Sequence, residues 1–117
     1  IASMSRHVCR WNVKINKLNK HFEIGISSNW TESNVKFYDH AESSNYAFCN
    51  HGKKVCNGVM EKYGQAWNEG DVVGMQLDEM EKTLEFFVNG QSQGVAFRNI
   101  NTARDVMYKL AVQMYYK

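Results

Sequence analysis

Four carboxylates crowd the stretch WNEGDVVGMQLDEMEKTLEFFVNGQSQGVAF: Asp71, Asp78, Glu79 and Glu81. Paired carboxylates can hydrolyse a glycosidic bond when two converge across a cleft and one has a raised pKa. Asp78, Glu79 and Glu81 instead sit side by side between two apolar runs, at the tip of a turn, where they point apart. A calcium loop needs regularly spaced oxygen ligands around a sharp glycine turn, and DEMEK has neither. Asp71 follows Gly70 at the entrance to an apolar run. There a carboxylate accepts backbone N–H bonds in a turn and needs no substrate.

Cys49, His51 and Cys56 have the residue types of a zinc site. A structural zinc needs four ligands, usually as two close pairs, and this is a loose trio with His40 well upstream. Alternation also puts Cys49 on the face opposite Tyr46 and Phe48, as a core thiol. No Gly-x-Ser-x-Gly elbow and no Cys/His pair in a nucleophile context is present. HGKK, His51–Lys54, lacks the glycine frame of a phosphate loop. Met60, Met75, Met80, Met107 and Met114 show no helical spacing and read as core fillers or loop residues. The residues thus predict no catalytic centre, no metal and no cofactor.

Period-two alternation dominates the chain. Val8–Ile15 turns Cys9, Trp11, Val13 and Ile15 to one side, and His21–Ser27 does the same with Phe22, Ile24 and Ile26. KLNK between them reads as a hairpin loop. Tyr46–Cys49 and Lys54–Cys56 read as short strands around NHGK. Val72–Leu77 and Leu84–Val88 alternate again, which places Phe86, like Trp11, on an inward face. Asn89-Gly90 is a strong hairpin signal, because both residues tolerate positive φ. Val95–Phe97 and Tyr108–Tyr116 complete the set. With no sustained helical period and no proline, the prediction is an all-β sandwich of two antiparallel sheets. Two longer irregular stretches, Ser28–Asn45 and Arg98–Val106, are the natural carriers of binding residues.

At 117 residues and 44% apolar content, the chain suits a single domain with one core. A net charge of +2, and a basic stretch KINKLNK without arginine or aromatics, argue against a nucleic-acid partner. No apolar run is long enough to span a membrane, and no signal peptide is evident. Three widely spaced cysteines suit free thiols in a reducing, cytoplasmic setting. The triplet Asn29-Trp30-Thr31 would matter for glycosylation only in a secreted chain.

Read in order, HVCRWNVKI, HFEIGIS, NYAFCNHGKKVCNG, YGQAWNEGDVVGMQLDEMEKTLEFFVNG, GVAF and YKLAV resemble the SPRY domain family from about His7 to Tyr116. The resemblance implies a bent, concanavalin-like jelly roll of two antiparallel sheets, non-catalytic, that binds a peptide or partner-protein loop at one edge. It also implies roles such as recruiting substrates to a ubiquitin ligase or assembling a larger complex. Lys109 replaces the family's usual proline, and DEMEKT its usual glycine. Only IASMSR precedes the first motif, and the chain ends soon after YKLAV. Residues 1–117 are therefore expected to be one SPRY-like domain, either trimmed or partial from a longer protein with its terminal edge strands left out, or a divergent, minimal member.

Aligning YKLAV with the family's motif puts Tyr115 where an aromatic packs on the ligand. Val35 and Tyr38 from the first loop, and Asn101 and Arg104 from the second, complete the predicted partner-binding set. Two other readings remain open. Asn29-Trp30-Thr31-Glu32 has the makings of a glycan site on a lectin-like sandwich, and a purely architectural domain would bury its loops against neighbours.

Overall fold

A computed structural model describes residues 3–4, 8–17, 21–27, 45–56, 58–102 and 108–115, with the backbone alone for 3–4 and 113–115. Its regular structure is entirely β: β1 (Ser3–Met4), β2 (Val8–Lys14), β3 (His21–Ser27), β4 (Asn45–Cys49), β5 (Lys53–Cys56), β6 (Val59–Lys62), β7 (Val72–Asp78), β8 (Thr83–Val88), β9 (Gln91–Phe97) and β10 (Lys109–Tyr115). The first sheet runs β1-β2-β7-β8-β9, and the second runs β10-β3-β4-β5-β6. Every strand pair is antiparallel.

Alternation in the sequence becomes register. Trp11 faces Met75, which faces Phe86; Val13, Val73 and Val88 line up beside them. In the second sheet Ile24 faces Phe48 and Ile26 faces Tyr46. Cross-strand neighbours share a face, so these rows meet across the sandwich as one apolar cluster. Trp67, from the connection between β6 and β7, is its largest fully buried side chain. Its ring stands edge-on to Phe22 at 5.5 Å and lies 6.0 Å from Phe48. The indole N–H is buried without a hydrogen-bond partner among the described residues. Trp67 therefore stabilises by its area and not by its polar edge.

Two turns follow the sequence closely. At Asn89-Gly90 φ is 51° and 83°, the left-handed region that the β8–β9 hairpin requires. Asp71 accepts from the Asn68 N–H at 2.8 Å, and the Asn89 amide donates to it at 3.0 Å. One further glycine is obligatory for a different reason. Gly25 lies so close to β4 that a Cβ would sit 1.8 Å from the Tyr46 carbonyl oxygen.

Two expectations are corrected. KLNK does not close a hairpin, because β2 and β3 belong to different sheets. Each strand finds better partners elsewhere, and their apolar faces meet across the core instead of side by side. Ile15 marks the crossing: buried, it donates to Asp71 O at 2.9 Å and accepts from the Gly70 N–H at 2.7 Å. Trp11, expected as a central core residue, is half-buried against the cluster, whereas Phe86 is fully enclosed.

Truncating Phe86 or Trp67 to alanine should destabilise the chain by about 3–5 kcal/mol, against clearly less for Trp11→Ala. Urea denaturation checks the order. A near-native midpoint for Phe86→Ala would mean that the inward face is wrongly assigned.

Candidate partner-binding site

One end of the second sheet gathers the long excursions of the chain. Ser27 and Asn45 are opposed in register, and the buried Ser27 hydroxyl donates to Asn45 Oδ1. Segment 28–44 therefore leaves and returns through a pinned, adjacent pair. Lys109, which opens β10, faces Ser27 at the same end, and Cys56 faces Tyr46 there too. From the first sheet, Phe97 comes within 5.0 Å of Tyr46. The chain after β9 is then strapped under the β7–β8 turn. Ile100 donates its N–H to Lys82 O at 3.1 Å, and the Thr102 hydroxyl donates to Glu79 O at 3.1 Å.

The acidic patch is that turn. Asp78 Oδ1 accepts from the N–H groups of Met80 and Glu81, both at 3.0 Å. Its carboxylates shape and solvate a loop tip and converge on nothing.

Of the predicted contact residues, Asn101 is exposed at the loop-bearing end, where its carbonyl accepts from the Tyr108 hydroxyl at 3.0 Å. Tyr115 lies at the far end of β10, opposite His21. A strand of that length spans about 20 Å, so Asn101 and Tyr115 are not brought together. Val35, Tyr38 and Arg104 lie outside the described residues.

Pairing of β3 with β4 assembles a cluster that linear spacing hides. Glu23 faces Cys49, His21 Nε2 lies 2.5 Å from Glu23 Oε2, and the His21 and His51 rings are 5.7 Å apart. Glu23 is fully buried, and an enclosed carboxylate persists only with such partners. His21 and Glu23, two residues apart on one strand, share a face in HFEIGIS already; Cys49 and His51 join them only through the β3–β4 register.

Cys49 and Cys56 lie on opposite faces of the second sheet. Cys56 pairs with Tyr46 on the core side, while Cys49 faces Glu23 on the other. Among the described residues no group of His, Cys, Asp and Glu is arranged to hold a metal. Burial pushes the Cys9 and Cys56 thiols up, away from the thiolate a nucleophile needs.

Beside the loop-bearing end, a groove of about 200 Å³ opens between β5–β6 and β9, lined by Lys54, Cys56, Val59, Glu61 and Phe97. Lys54 spans its floor. Its ammonium donates to Ala96 O at 2.8 Å, lies 3.7 Å from Glu61, and sits 5.5 Å from the Phe97 ring centre.

Two five-stranded antiparallel sheets in this order have a direct counterpart among known families. The family model for the SPRY domain matches residues 8–113. The chain belongs to the SPRY domain family. SPRY domains are in general non-catalytic protein-interaction domains. The crystal structure of the SPRY domain of human HERC1 superposes with a TM-score of 0.75 at 19% identity, covering 97% of this chain and 70% of that one. ATP-dependent RNA helicase Ddx1 of Drosophila melanogaster is 38% identical over 68 residues, 57% of this chain and 9% of that protein. Heterogeneous nuclear ribonucleoprotein U-like protein 2 of Mus musculus is 42% identical over 55 residues, 45% of this chain and 7% of that protein. The SPRY chain thus spans less than a tenth of the curated relatives it matches.

Two measurements follow from this geometry. With Cys49 and Cys56 on opposite faces, purified SPRY chain should carry no stoichiometric zinc, and a chelator should leave its melting temperature unchanged. One zinc per chain by elemental analysis would overturn that. Burial pushes the Tyr46 and Tyr63 hydroxyls up to about 12. A raised folded pKa stabilises fully below the unfolded value near 10, and that stability is lost as pH climbs toward 12. Alkaline melting should therefore steepen across this window, and Tyr63→Phe should flatten it. Equal slopes for the two proteins would contradict the assignment.

Proposed function

We propose that the domain is the partner-binding arm of a longer polypeptide, holding a peptide or partner-protein loop at the loop-bearing end of the sandwich. The observation that carries this reading is the pinned pair Ser27–Asn45. It fixes the two flanks of segment 28–44 at the end of the sandwich that also carries the strapped residues 98–102, on a packed core. A rigid base under long connections is how scaffolds present recognition residues. Asn101 is exposed at this end, and in this reading Val35, Tyr38 and Arg104 would join it there. Tyr115 would add a second contact, for a partner long enough to reach along β10.

Recruitment of a substrate, or assembly of a larger complex, is the role such an arm would serve. Relatives named as an RNA helicase and a ribonucleoprotein-like protein favour work within RNA-handling assemblies, where this domain would hold protein and leave RNA to neighbours. The modest net charge of +2 supports a protein ligand over a nucleic acid. Free thiols at Cys9, Cys49 and Cys56 suit the cytoplasm.

The test is affinity capture with the intact chain, Tyr38→Ala and Tyr115→Ala, each checked for melting temperature. Losing an exposed interface tyrosine should leave stability within about 0.5 kcal/mol but weaken binding by at least ~2 kcal/mol. Loss of partner by Tyr38→Ala alone puts the site at the loop-bearing end. If both variants fold and retain every partner, the binding end lies elsewhere.

A further inference from the structure

The β5–β6 hairpin combines an exposed apolar side chain with an uncompensated pair of like charges. All four residues of β6 are exposed, so the strand contributes nothing to the core, yet it carries Val59 at 56% exposure. On its outer face Lys53 and Lys62 are directly opposed in register. Like charges facing each other across a sheet are destabilising. The ion pair the structure gives this hairpin uses Lys54 and Glu61, on the opposite face, and leaves Lys53 and Lys62 uncompensated among the described residues. β6 also closes the second sheet in the strand order, so its outer side has no neighbouring strand among the described residues.

We infer that this hairpin is a second docking surface, for an extended partner segment that alternates acidic and apolar residues. The two faces of β6 supply the pattern. A strand laid along it presents successive side chains to opposite sides. One set would enter the groove formed by Cys56, Val59 and Phe97, and the other would meet Lys53 and Lys62. Acidic residues there remove the lysine repulsion that the isolated hairpin carries. A nucleic acid fits less well. Stacking needs open aromatic faces and favours arginine, whereas the groove offers an aliphatic wall, a half-buried Phe97 and a carboxylate.

The hairpin is held firmly enough to act as a template. Tyr63 and Gly64 donate their N–H groups to Gly52 O at 3.1 and 2.9 Å, and Lys54 is tied to Ala96. The groove adjoins the loop-bearing end through Cys56 and Phe97, but Lys53, Val59 and Lys62 lie on the hairpin itself, so substitutions there separate the two readings.

Fluorescence anisotropy with labelled peptides tests it on the purified chain. The probe alternates Glu and Val; the controls alternate Lys and Val, or Glu and Ser, and a further probe is single-stranded oligouridylate. The Glu/Val probe should bind, and salt should weaken it. Joint replacement Lys53→Gln and Lys62→Gln should reduce its affinity by about tenfold or more, a change of about 1.4 kcal/mol. Val59→Ser should also weaken it, and Tyr38→Ala should not. The lysine variant should be at least as stable as the parent, which separates lost binding from lost folding. No binding of the Glu/Val probe overturns the inference. So does equal binding of the Lys/Val control, indifference to the lysine variant, or tighter binding of oligouridylate at the same lysines.

Discussion

Phe48 is the ring on which the two sheets close. Fully buried on β4, it stands 5.2 Å from Phe86 of the opposite sheet and 5.2 Å from Tyr63. Trp67 completes the contact at 6.0 Å. Tilted and edge-on pairs of this kind add to the area they bury, so the cluster gives both cohesion and orientation. With Phe48 committed inward, Ala47 and Cys49 must face the other way, and β5 and β3 take their register from it. The outer face of β3 and β4 is enclosed as well, which is why Glu23 and Asn45 need hydrogen-bonded partners and Gly25 can carry no side chain.

The same cluster governs how an edge is managed. Tyr63 packs its ring on Phe48 and Phe86, and its hydroxyl reaches the Gly94 carbonyl on β9. The next such carbonyl, Ala96, is taken by Lys54. Gly94 has φ of 91°, and the β8–β9 register shifts nearby. Side chains from the second sheet thus occupy acceptors on the edge strand of the first. Capped acceptors and a bulge are what keep an edge from pairing with other chains. β6 is protected differently: among the described residues it has no capped acceptor and relies on charge, and its Lys62 stands opposite Lys53.

The strands were legible where one face is buried and the other wet. Val72–Asp78 and Thr83–Val88 announce themselves by alternation, and Asn89-Gly90 announces the turn after them. Asp71 was legible because a carboxylate after glycine has local donors to find. What escaped depended on distant residues. KLNK looks like a hairpin loop, since no local signal says that β2 will prefer β7 to β3. β6 has no buried residue and therefore no periodic pattern. The His21–Glu23–His51 cluster exists only once β3 and β4 are in register. Predicted contacts on long connections, such as Val35 and Tyr38, came from family position alone, because loop residues answer to a partner and not to the core.

A packed interior also explains how one fold accommodates very different sequences. The fold agrees with the HERC1 SPRY domain at only 19% identity. A core of this kind asks for apolar side chains of suitable volume on alternate positions, and many residues satisfy that. Rows such as Val13–Val73–Val88 can exchange members without moving the sheets. The higher identities, 38% and 42%, extend over only 68 and 55 residues. Positions that cannot be exchanged are few and have geometric reasons: Gly25 against a carbonyl, and Asn89 and Gly90 at positive φ. The other core positions are held by volume and not by identity. Packing of this tolerance fixes the sandwich without fixing the surface, so any partner of this chain has to be read from its own rim and edges.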